Sequence, residues 1–584
     1  MINLIARSRI LTGIFACVFL IAPLKANSQD TKPASDLAGL WMAKRNFSPD
    51  VGGVMRISER DERLRAHLNG YTIDVVVDGN DLEFKGPGNS GYFRGSRVGG
   101  QIKGHWVQPR TRSNFAPYAS PVFLQSVAGG RWQGEVRLLD DTLHFYLVLE
   151  VDADGSVGGF IRNPEANIGR FYTIKGVSRS EDAVQFIDGN GRLRLEGRYH
   201  EDTRQLSMYF PYNGGSYDFT RVEDDAGSAF FPRPKSDSPY RYVQPVAGEG
   251  WQTASLEEAG IAKKPIEDMI RMIIGTPQDA IEAPYIHAFV MARHGKLVLE
   301  EYFHGFTRDR PHGTRSASKT ITATLAGIAV NKDLLSLDTP VYKTMYDGVL
   351  PKGLDERAGR MVLENLINMT PGLACDDFDQ ASPGNEDTMQ EQDEQPDWFR
   401  FTLGLEMLNE PGAHAAYCSG SQNLAGGVLA RATGTWLPDF YRDHFATPLG
   451  MGLYHMNLSP TGDGYGGGGL LIKSRDFLKL GQVFLDGGKW QGQQIVSEQW
   501  VRDGTRAINS IGEEGYGYGW WVFSYPHQGR AIKAFYAGGN GGQYLIVVPE
   551  LELNIVIFAG NYNQRVMHKP KYEYVRDYVL PATG

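Results

Sequence analysis

The sequence predicts an all-β N-terminal region followed by an α/β domain of the α+β kind, whose terminal strands share one antiparallel sheet flanked by helices. Between residues 37 and 222, short alternating runs such as YTIDVVVDG and TLHFYLVLEVD are separated by Gly, Asn and Asp, the pattern of hairpin-rich sheets. Beyond residue 250 the apolar spacing becomes helical, with strand hairpins near both ends, which favours a layered α/β domain. At 584 residues the chain is also too long for a single core.

The first residues have the layout of a secretory signal peptide, which we place at residues 1–28. Arg7 and Arg9 precede the apolar segment ILTGIFACVFLIAP, and the small residue Ala26 follows it, as at a cleavage site. An uncleaved membrane anchor is the alternative, although the run is shorter than the ~20 residues that a span needs. We therefore expect a periplasmic or secreted protein whose mature chain has no stable membrane span.

The β-rich region, residues 29–222, contains a weak internal repeat. GLW at residues 39–41 recurs as GRW at 130–132, and a Gly-rich hairpin follows in each half. This predicts two similar β units, at about 37–128 and 129–222, with chance similarity as the alternative. Nothing in the region identifies a ligand; it could bind a polymer, the envelope or a partner, or cover an active-site entrance.

A linker and a second domain follow. Residues 223–250 contain four prolines among Gly, Ser and charged residues, a composition typical of linkers. The second domain, residues 251–584, begins with helical spacing in SLEEAGIAKKPIEDMIRMII. It continues with a hairpin, AFVMARHGKLVLEEYF, that turns at His294 and Gly295, and a helix, ASKTITATLAGIAVNKDLL. It ends with the strand pair GGQYLIVVPELELNIVIFAG.

Composition and charge exclude several classes of function. Hydrophobic residues make up 41% of the chain and charged residues 22%, which describes a globular protein. A net charge of -9 without a basic stripe argues against a nucleic-acid partner. No group of His, Cys or carboxylate residues has metal-ligand spacing, so we expect no metal site. We also expect no cofactor. The expected partner is a small-molecule or peptide-like ester or amide substrate. The oligomeric state is left open.

The stretch RSASKT, residues 315–320, places a serine three residues ahead of a lysine at the start of an apolar helix. At positions i and i+3 the side chains of Ser316 and Lys319 share one helix face. A serine hydroxyl becomes a nucleophile when a neighbouring base takes its proton, and a lysine can be that base if burial lowers its pKa. On this stretch alone, a helix cap beside a solvated lysine is the simpler explanation of the pattern.

Further motifs follow in a fixed order. They are LLSLDTPV (334–341), LENLINMTPGLACDD (363–377), PGAHAAYCS (411–419), GGGGLLIKSRDFLKLGQVFLDGG (466–488) and AGGNGGQYLIVVPE (537–550). With RSASKT, they resemble the serine β-lactamase and penicillin-binding-protein superfamily, and within it the class C β-lactamase-like serine hydrolases, which include esterases, amidases and D-aminopeptidases. The resemblance covers residues 251 to about 562 and implies a β-lactamase/transpeptidase-like fold.

The resemblance also implies roles for individual residues. Ser316 matches the acylated nucleophile, Lys319 its base partner, and Tyr417 the tyrosine that relays protons in the family's Tyr-x-Asn motif. Ser419 stands where that motif has Asn, and because a hydroxyl is shorter and offers fewer hydrogen bonds than an amide, contacts to a substrate amide and to Lys319 are in doubt.

The family's third motif carries a cation in many members, and this chain departs from it. Ala537, Gly538 and Gly539 occupy the matching positions, with Tyr536, Ala537 and Gly538 as another register. Neither set offers a cation, which lowers the expectation of efficient β-lactam hydrolysis. The backbone amides of Ser316 and Asn540 are the predicted oxyanion hole, since backbone donors need no particular side chain.

Two more features lie between the motifs. Residues 376–398 carry nine acidic residues and no basic one; such a run is usually a solvated face, and the alternative is that it repels anionic substrates at the site entrance. Cys375 and Cys418 are the cysteines that remain after cleavage of the signal peptide. Export permits a disulfide between them, and two buried free thiols are the alternative.

The sequence as a whole predicts an exported serine hydrolase that cleaves an ester or amide bond through an acyl-enzyme on Ser316. One alternative is a β-lactamase or D-stereospecific peptidase proper. The other is a non-catalytic binding protein on a β-lactamase-like fold, which the departures at Ser419 and Ala537 would permit.

Overall fold

Two large antiparallel sheets form the N-terminal β region in the computed structural model, which describes residues 33–60, 63–111, 116–165, 172–223, 229–280, 282–391 and 394–584. The predicted signal peptide lies outside the described residues. The strands are β1 (Gly39–Asn46), β2 (Gly53–Arg60), β3 (Arg63–Leu68), β4 (Tyr71–Asp74), β5 (Val76–Asp78), β6 (Asp81–Lys85), β7 (Tyr92–Val98), β8 (Gln101–Gln108), β9 (Tyr118–Val127), β10 (Arg131–Val136), β11 (Thr142–Val151), β12 (Val157–Arg162), β13 (Tyr172–Ile174), β14 (Gly176–Ser180), β15 (Ala183–Ile187), β16 (Leu193–His200), β17 (Gln205–Phe210) and β18 (Gly215–Arg221).

The two sheets exchange strands across the predicted boundary near residue 128. One has the order β13-β12-β11-β1-β18-β17-β16-β15-β14, and the other β4-β3-β2-β10-β9-β8-β7-β6-β5. Strand β1 therefore pairs with β11 and β18 of the later half, whereas β10 pairs with β2 and β9 of the earlier half. The repeated tryptophans also differ, because Trp41 is buried in a core and Trp132 is half-buried. The sheets thus divide differently from the predicted units, since strand pairing is a long-range choice that a local repeat does not specify.

The second domain contains a nine-stranded sheet with helices packed on it, and several short strands outside that sheet. Its strands are β19 (Gln252–Thr253), β20 (Ile286–Arg293), β21 (Lys296–Tyr302), β22 (His312–Gly313), β23 (Tyr454–Asn457), β24 (Leu471–Ile472), β25 (Lys489–Trp490), β26 (Gln493–Gln494), β27 (Asn509–Ile511), β28 (Glu514–Tyr516), β29 (Trp521–His527), β30 (Arg530–Gly539), β31 (Gln543–Val548) and β32 (Leu553–Ala559). Its helices are α1 (Lys263–Ile274), α2 (Lys319–Asn331), α3 (Val341–Met345), α4 (Leu363–Ile367), α5 (Glu386–Glu391), α6 (Trp398–Leu403), α7 (Ser419–Thr433), α8 (Leu437–Tyr441), α9 (Ser474–Leu485), α10 (Glu498–Gly504) and α11 (Leu580–Ala582), with π-helical segments at Arg442–Ala446 and Pro570–Val579.

The terminal strands of this domain share one sheet, as predicted. The sheet order is β19-β21-β20-β32-β31-β30-β29-β28-β27, and the early strand β20 lies antiparallel to the last strand β32. Strands β20, β31 and β32 are buried along their whole length, which is why they read as continuous apolar runs. Apart from the short edge strand β19, which pairs with β21 in parallel, the sheet is antiparallel. Flanked by helices and preceded by an all-β region, it confirms the predicted fold class.

A chain of strand pairs connects the N-terminal region to the turn that carries Ser316. Strand β9 pairs with β23, β23 with β24, and β24 with β22, which ends two residues before that turn. Buried polar bonds reinforce the contact: His105 Nε2 lies 2.9 Å from the Tyr454 hydroxyl, and Ser120 Oγ lies 2.6 Å from His455 Nδ1. Because a buried polar group left without its partner is costly, the two regions stabilise each other's folded state.

The segment predicted to be a linker also packs against both regions where it is described. Phe230 is buried beside Tyr146, with ring centroids 5.5 Å apart. Arg233 and Tyr240 both bond to the carboxylate of Glu301 on β21. The described part of this segment therefore contacts both regions at fixed positions, although it contains no regular helix or strand from 229 to 247.

Candidate active site

The predicted nucleophile lies on a tight turn that precedes a buried helix. Residues Arg315–Ser318 form one 3₁₀ turn, and α2 begins at Lys319. The sequence predicts a helix from residue 317; α2 begins two residues later, and Ser316 lies in the turn that precedes it. Arg315 has a left-handed backbone, φ 51°, and a non-glycine residue in that conformation stores strain of the kind found at functional sites.

Ser316 and Lys319 are in direct hydrogen-bond contact. The Lys319 Nζ donates to Ser316 Oγ at 2.8 Å and to the carbonyl oxygen of Gly467 at 2.6 Å. The carbonyl approaches closely because residue 467 has no side chain: a Cβ there would lie 2.6 Å from the Tyr465 hydroxyl and 2.8 Å from the Ser419 carbonyl oxygen. The two bonds hold the ammonium against the serine hydroxyl.

The environment of Lys319 differs from the one that the sequence led us to expect. Lys319 is only 1% exposed, and burial, the largest single influence, lowers its pKa. The Tyr417 phenol and the carboxylates of Glu386 and Asp377 together raise the pKa by more, so that it lies above its usual value. The direction of this shift is opposite to the one that would let Lys319 act as a base on its own.

Tyr417 lies beside both residues inside an aromatic stack. Its ring is parallel to Phe378, with centroids 5.1 Å apart, and tilted against Trp521 at 5.4 Å. The Lys319 Nζ lies 5.0 Å from the ring centroid. Burial raises the pKa of the phenol, whereas the Lys319 charge and a hydrogen bond with Ser316 lower it, and the net pKa is above its usual value. The structure thus brings Ser316, Lys319 and Tyr417 together.

The predicted third motif forms the end of β30 and touches the nucleophile turn. A Cβ on Gly539 would lie 2.2 Å from the Thr314 carbonyl oxygen, and one on Gly538 would lie 2.7 Å from the Tyr536 ring. Glycine is therefore required at residue 539 by the close approach of two backbones. Ala537 is buried within the strand. The side chain of Asn540 bonds to Asn563 Oδ1 at 2.6 Å, which leaves its backbone amide as the group that it could offer to the site.

Ser419 has partners that the sequence analysis did not find. Its hydroxyl lies 2.7 Å from Asp377 Oδ2 and 3.0 Å from Glu386 Oε2, and its backbone N donates to Asp377 Oδ2 at 2.7 Å. Both acids belong to the acidic segment 376–398, which sequence analysis treated as a solvated face or an entrance that repels anions. The serine in place of the family's asparagine was the available signal, because a smaller residue leaves room for other groups.

A disulfide joins the two ends of this acidic arrangement. Cys375 and Cys418 are bonded, with their Cα atoms 5.5 Å apart. Cys375 immediately precedes the acidic segment, and Cys418 lies between Tyr417 and Ser419 at the start of α7, where its sulfur accepts a hydrogen bond from the Ser421 amide. The bridge therefore ties the segment that supplies Asp377 to the segment that supplies Tyr417.

Arg315 is a second feature that sequence analysis missed. Its side chain is exposed next to Ser316, and its guanidinium carbon lies 4.7 Å from the centroid of the Tyr562 ring. A cation held over an aromatic face in this way is positioned rather than freely mobile. The mouth of the site thus carries a positive charge, from a position outside the third motif.

A comparison with known proteins identifies the family of the chain. The family model described as Beta-lactamase matches residues 279–578, just over half of the chain. The chain belongs to the beta-lactamase family. The curated proteins include 6-aminohexanoate-dimer hydrolase from Paenarthrobacter ureafaciens, which is 24% identical to this beta-lactamase family member over 306 residues, 46% of this chain and 76% of that protein.

Two solved structures are also similar to this beta-lactamase family member. A putative 6-aminohexanoate-dimer hydrolase from Bacillus anthracis is 20% identical, with a TM-score of 0.44, and the match covers 55% of this chain and 84% of that one. Unliganded simvastatin synthase from Aspergillus terreus is 17% identical, with a TM-score of 0.43, and the match covers 55% and 98% respectively. Among the described residues, no helix is both long and apolar enough to cross a bilayer.

Proposed function

We propose that this chain is an exported serine hydrolase that cleaves an ester or amide bond through an acyl-enzyme on Ser316. The observation that carries the proposal is the 2.8 Å contact between Ser316 Oγ and Lys319 Nζ in a site where Tyr417 lies against both. A serine, a cation and a phenol in mutual contact supply the nucleophile and the groups that move its proton.

The reaction follows from the positions of these groups. Ser316 Oγ attacks the carbonyl carbon, and its proton passes to the Lys319–Tyr417 couple. The negative charge on the carbonyl oxygen is stabilised by the backbone amides of Ser316 and Asn540. When the tetrahedral intermediate collapses, the couple returns the proton to the leaving alcohol or amine; a water molecule then attacks the acyl-enzyme by the same route and releases the acid.

The pKa directions predict the pH dependence of this step. The couple must lose one proton before it can accept the one from Ser316, and the pKa values of both Lys319 and Tyr417 are raised above their usual values near 10. The active form is therefore a small fraction at neutral pH, and kcat/KM should rise with pH through the alkaline range.

Export is part of the proposal. It is supported by the disulfide between Cys375 and Cys418, since such bonds persist in oxidising compartments, and by the layout of residues 1–28.

A substrate panel tests the proposal. We would measure kcat/KM for p-nitrophenyl acyl esters, for the matching anilides, for a linear ω-amino-acid amide of the kind that the relatives' names indicate, and for nitrocefin. Wild-type protein should turn over at least one ester or linear amide, and Ser316→Ala should lower that rate by about 10³-fold or more. Nitrocefin turnover above every ester and amide would reassign the chain as a β-lactamase. Equal rates for wild type and Ser316→Ala would overturn the proposal.

A further inference from the structure

Two carboxyl groups lie on either side of the Ser419 hydroxyl, next to the proposed catalytic residues. Asp377 comes from the segment after the disulfide, and Glu386 is the first residue of α5. Ser419 is fully buried, and its Oγ lies 2.7 Å from one carboxylate oxygen and 3.0 Å from the other. Asp377 and Glu386 are themselves half-buried, and their bonds to a buried hydroxyl distinguish them from a freely solvated cluster.

The Ser419 hydroxyl contacts two carboxylate oxygens and has one hydrogen atom for both contacts. Asp377 accepts hydrogen bonds from the Ser419 amide at 2.7 Å and from the Glu386 amide at 2.9 Å, so its oxygens are well supplied with donors. Glu386 Oε1 accepts from the Tyr465 hydroxyl at 2.5 Å and from Gln390 at 3.1 Å. The hydroxyl of Ser419 has one hydrogen, and it cannot serve both carboxylates at once. One proton shared between the two carboxyl groups would supply the missing hydrogen.

The electrostatics agree with this hydrogen count. Burial is the largest influence on Asp377, the charge of Glu386 adds to it, and Lys319 opposes both; the pKa of Asp377 is raised to about 6. Two carboxyl groups this close titrate as a pair, so the value belongs to the pair and not to one residue. The pair holds its proton in mildly acidic solution and loses it as the pH rises through this value.

The pair also acts on the residues that carry the proposed reaction. The titratable groups that face the pair from the neighbouring elements are Lys319 of α2, Tyr417 before α7, Tyr465 just before the glycines at 466–469, and Asp387 of α5. The charges of Asp377 and Glu386 raise the pKa of both Lys319 and Tyr417.

We propose that Asp377 and Glu386 share one proton across Ser419 in mildly acidic solution. Once that proton is lost, the negative charge of the pair sets the alkaline pH at which the Lys319–Tyr417 couple loses its own proton. The two acids are positioning residues, because they touch neither Ser316 nor the reacting carbonyl in the mechanism above. The inference rests on the proposed function of Ser316, Lys319 and Tyr417. It also explains residue 419: a serine leaves room for two carboxyl groups and bonds to both.

The pH profile of kcat/KM tests the effect on the couple. Glu386→Gln and Asp377→Asn each remove one negative charge while keeping a side chain of nearly the same shape. In each variant the rise of kcat/KM with pH should move to lower pH by about one unit, with a KM that changes less than kcat. Asp379→Asn, the same charge change at an exposed position of the same segment, should leave the profile in place.

Infrared spectroscopy tests the shared proton without any substrate. In the full wild-type chain, a carbonyl band of a protonated carboxyl group should disappear as the pH is raised through about 6. The band should be absent from Asp377→Asn, which lacks this acid. In Glu386→Gln it should disappear at a lower pH, because Asp377 has lost the like charge that raises its pKa. If one variant fails to fold, the other variant and the wild-type titration still show whether the two carboxyl groups share a proton.

Two results would overturn the inference: superimposable pH profiles of both folded variants and wild type, or no carboxyl band between pH 5 and 7 that depends on these two residues. Failure of the proposed function looks different. In that case no substrate is turned over and Ser316→Ala changes nothing, while the infrared titration still reports on the pair.

Discussion

The two sides of the candidate site are built in different ways. The nucleophile corner, Thr314 to Lys319 with Gly539, depends mainly on local geometry, since an i, i+3 spacing brings Ser316 and Lys319 to 2.8 Å. The acid corner, Asp377 and Glu386 with Tyr417 to Ser419, depends on residues up to 43 positions apart that meet through Ser419 and the disulfide. The nucleophile corner can therefore be recognised from the sequence, whereas the acid corner is apparent only in the folded structure.

The largest expected effect is at the nucleophile corner. Lys319→Met keeps a straight apolar stem in the buried position and removes the ammonium that contacts Ser316 Oγ. We expect kcat/KM for the best ester or amide to fall about 10³-fold, equivalent to roughly 4 kcal/mol of transition-state stabilisation. The matched control is Lys332→Met, an exposed lysine at the other end of α2, which should behave as wild type. If kcat/KM of Lys319→Met is within tenfold of the wild-type value, the nucleophile corner is not the catalytic element, and the contrast between the two corners is wrong.

The next effect is on stability and belongs to the acid corner. The disulfide closes a sequence separation of 43 residues, and replacing both Cys375 and Cys418 by alanine should lower the free energy of unfolding by about 3 kcal/mol. Urea unfolding of the double variant beside wild type, in the absence of reductant, measures this. An unchanged unfolding midpoint would mean that the acid corner is held by its hydrogen bonds alone.

A smaller effect is expected where the two backbones of the nucleophile corner meet. Gly539→Ala places a methyl group 2.2 Å from the Thr314 carbonyl oxygen, so the end of β30 must shift, at a cost of about 1–3 kcal/mol. We expect kcat/KM to fall 10- to 100-fold with a near-normal far-UV spectrum. Gly313→Ala is the matched control, since a Cβ there meets nothing within 4 Å. Equal activity of the two variants would contradict the proposed contact between β30 and the nucleophile turn.

The smallest effect on rate is expected from Ser419→Asn, which restores the family's residue. The amide offers two N–H donors, enough for both carboxylates without a shared proton, but it enlarges a fully buried position. We expect kcat/KM within about fivefold of wild type and a loss of stability of roughly 1–2 kcal/mol. A rate loss as large as that of Lys319→Met would show that the acid corner takes part in the chemistry directly.

The fold and half of the site could be predicted from the sequence for the same reason: their signals are local. The terminal strands β20 and β32 appear as apolar runs, and RSASKT contains both of its interacting side chains. The exchange of β1 and β10 between sheets, the carboxyl pair beside Ser419 and the raised pKa of Lys319 could not be predicted. Each depends on which distant segments meet, and neither periodicity nor motif spacing specifies that.

Covalent labelling of the full chain tests the central claim most directly. Intact-mass spectrometry after treatment with a fluorophosphonate probe, with Ser316→Ala alongside, reports whether a single activated serine is present. We predict one added probe per wild-type chain and none on Ser316→Ala. Folded wild-type protein that remains unlabelled at alkaline pH, or equal labelling of both proteins, would contradict an acyl-enzyme on Ser316.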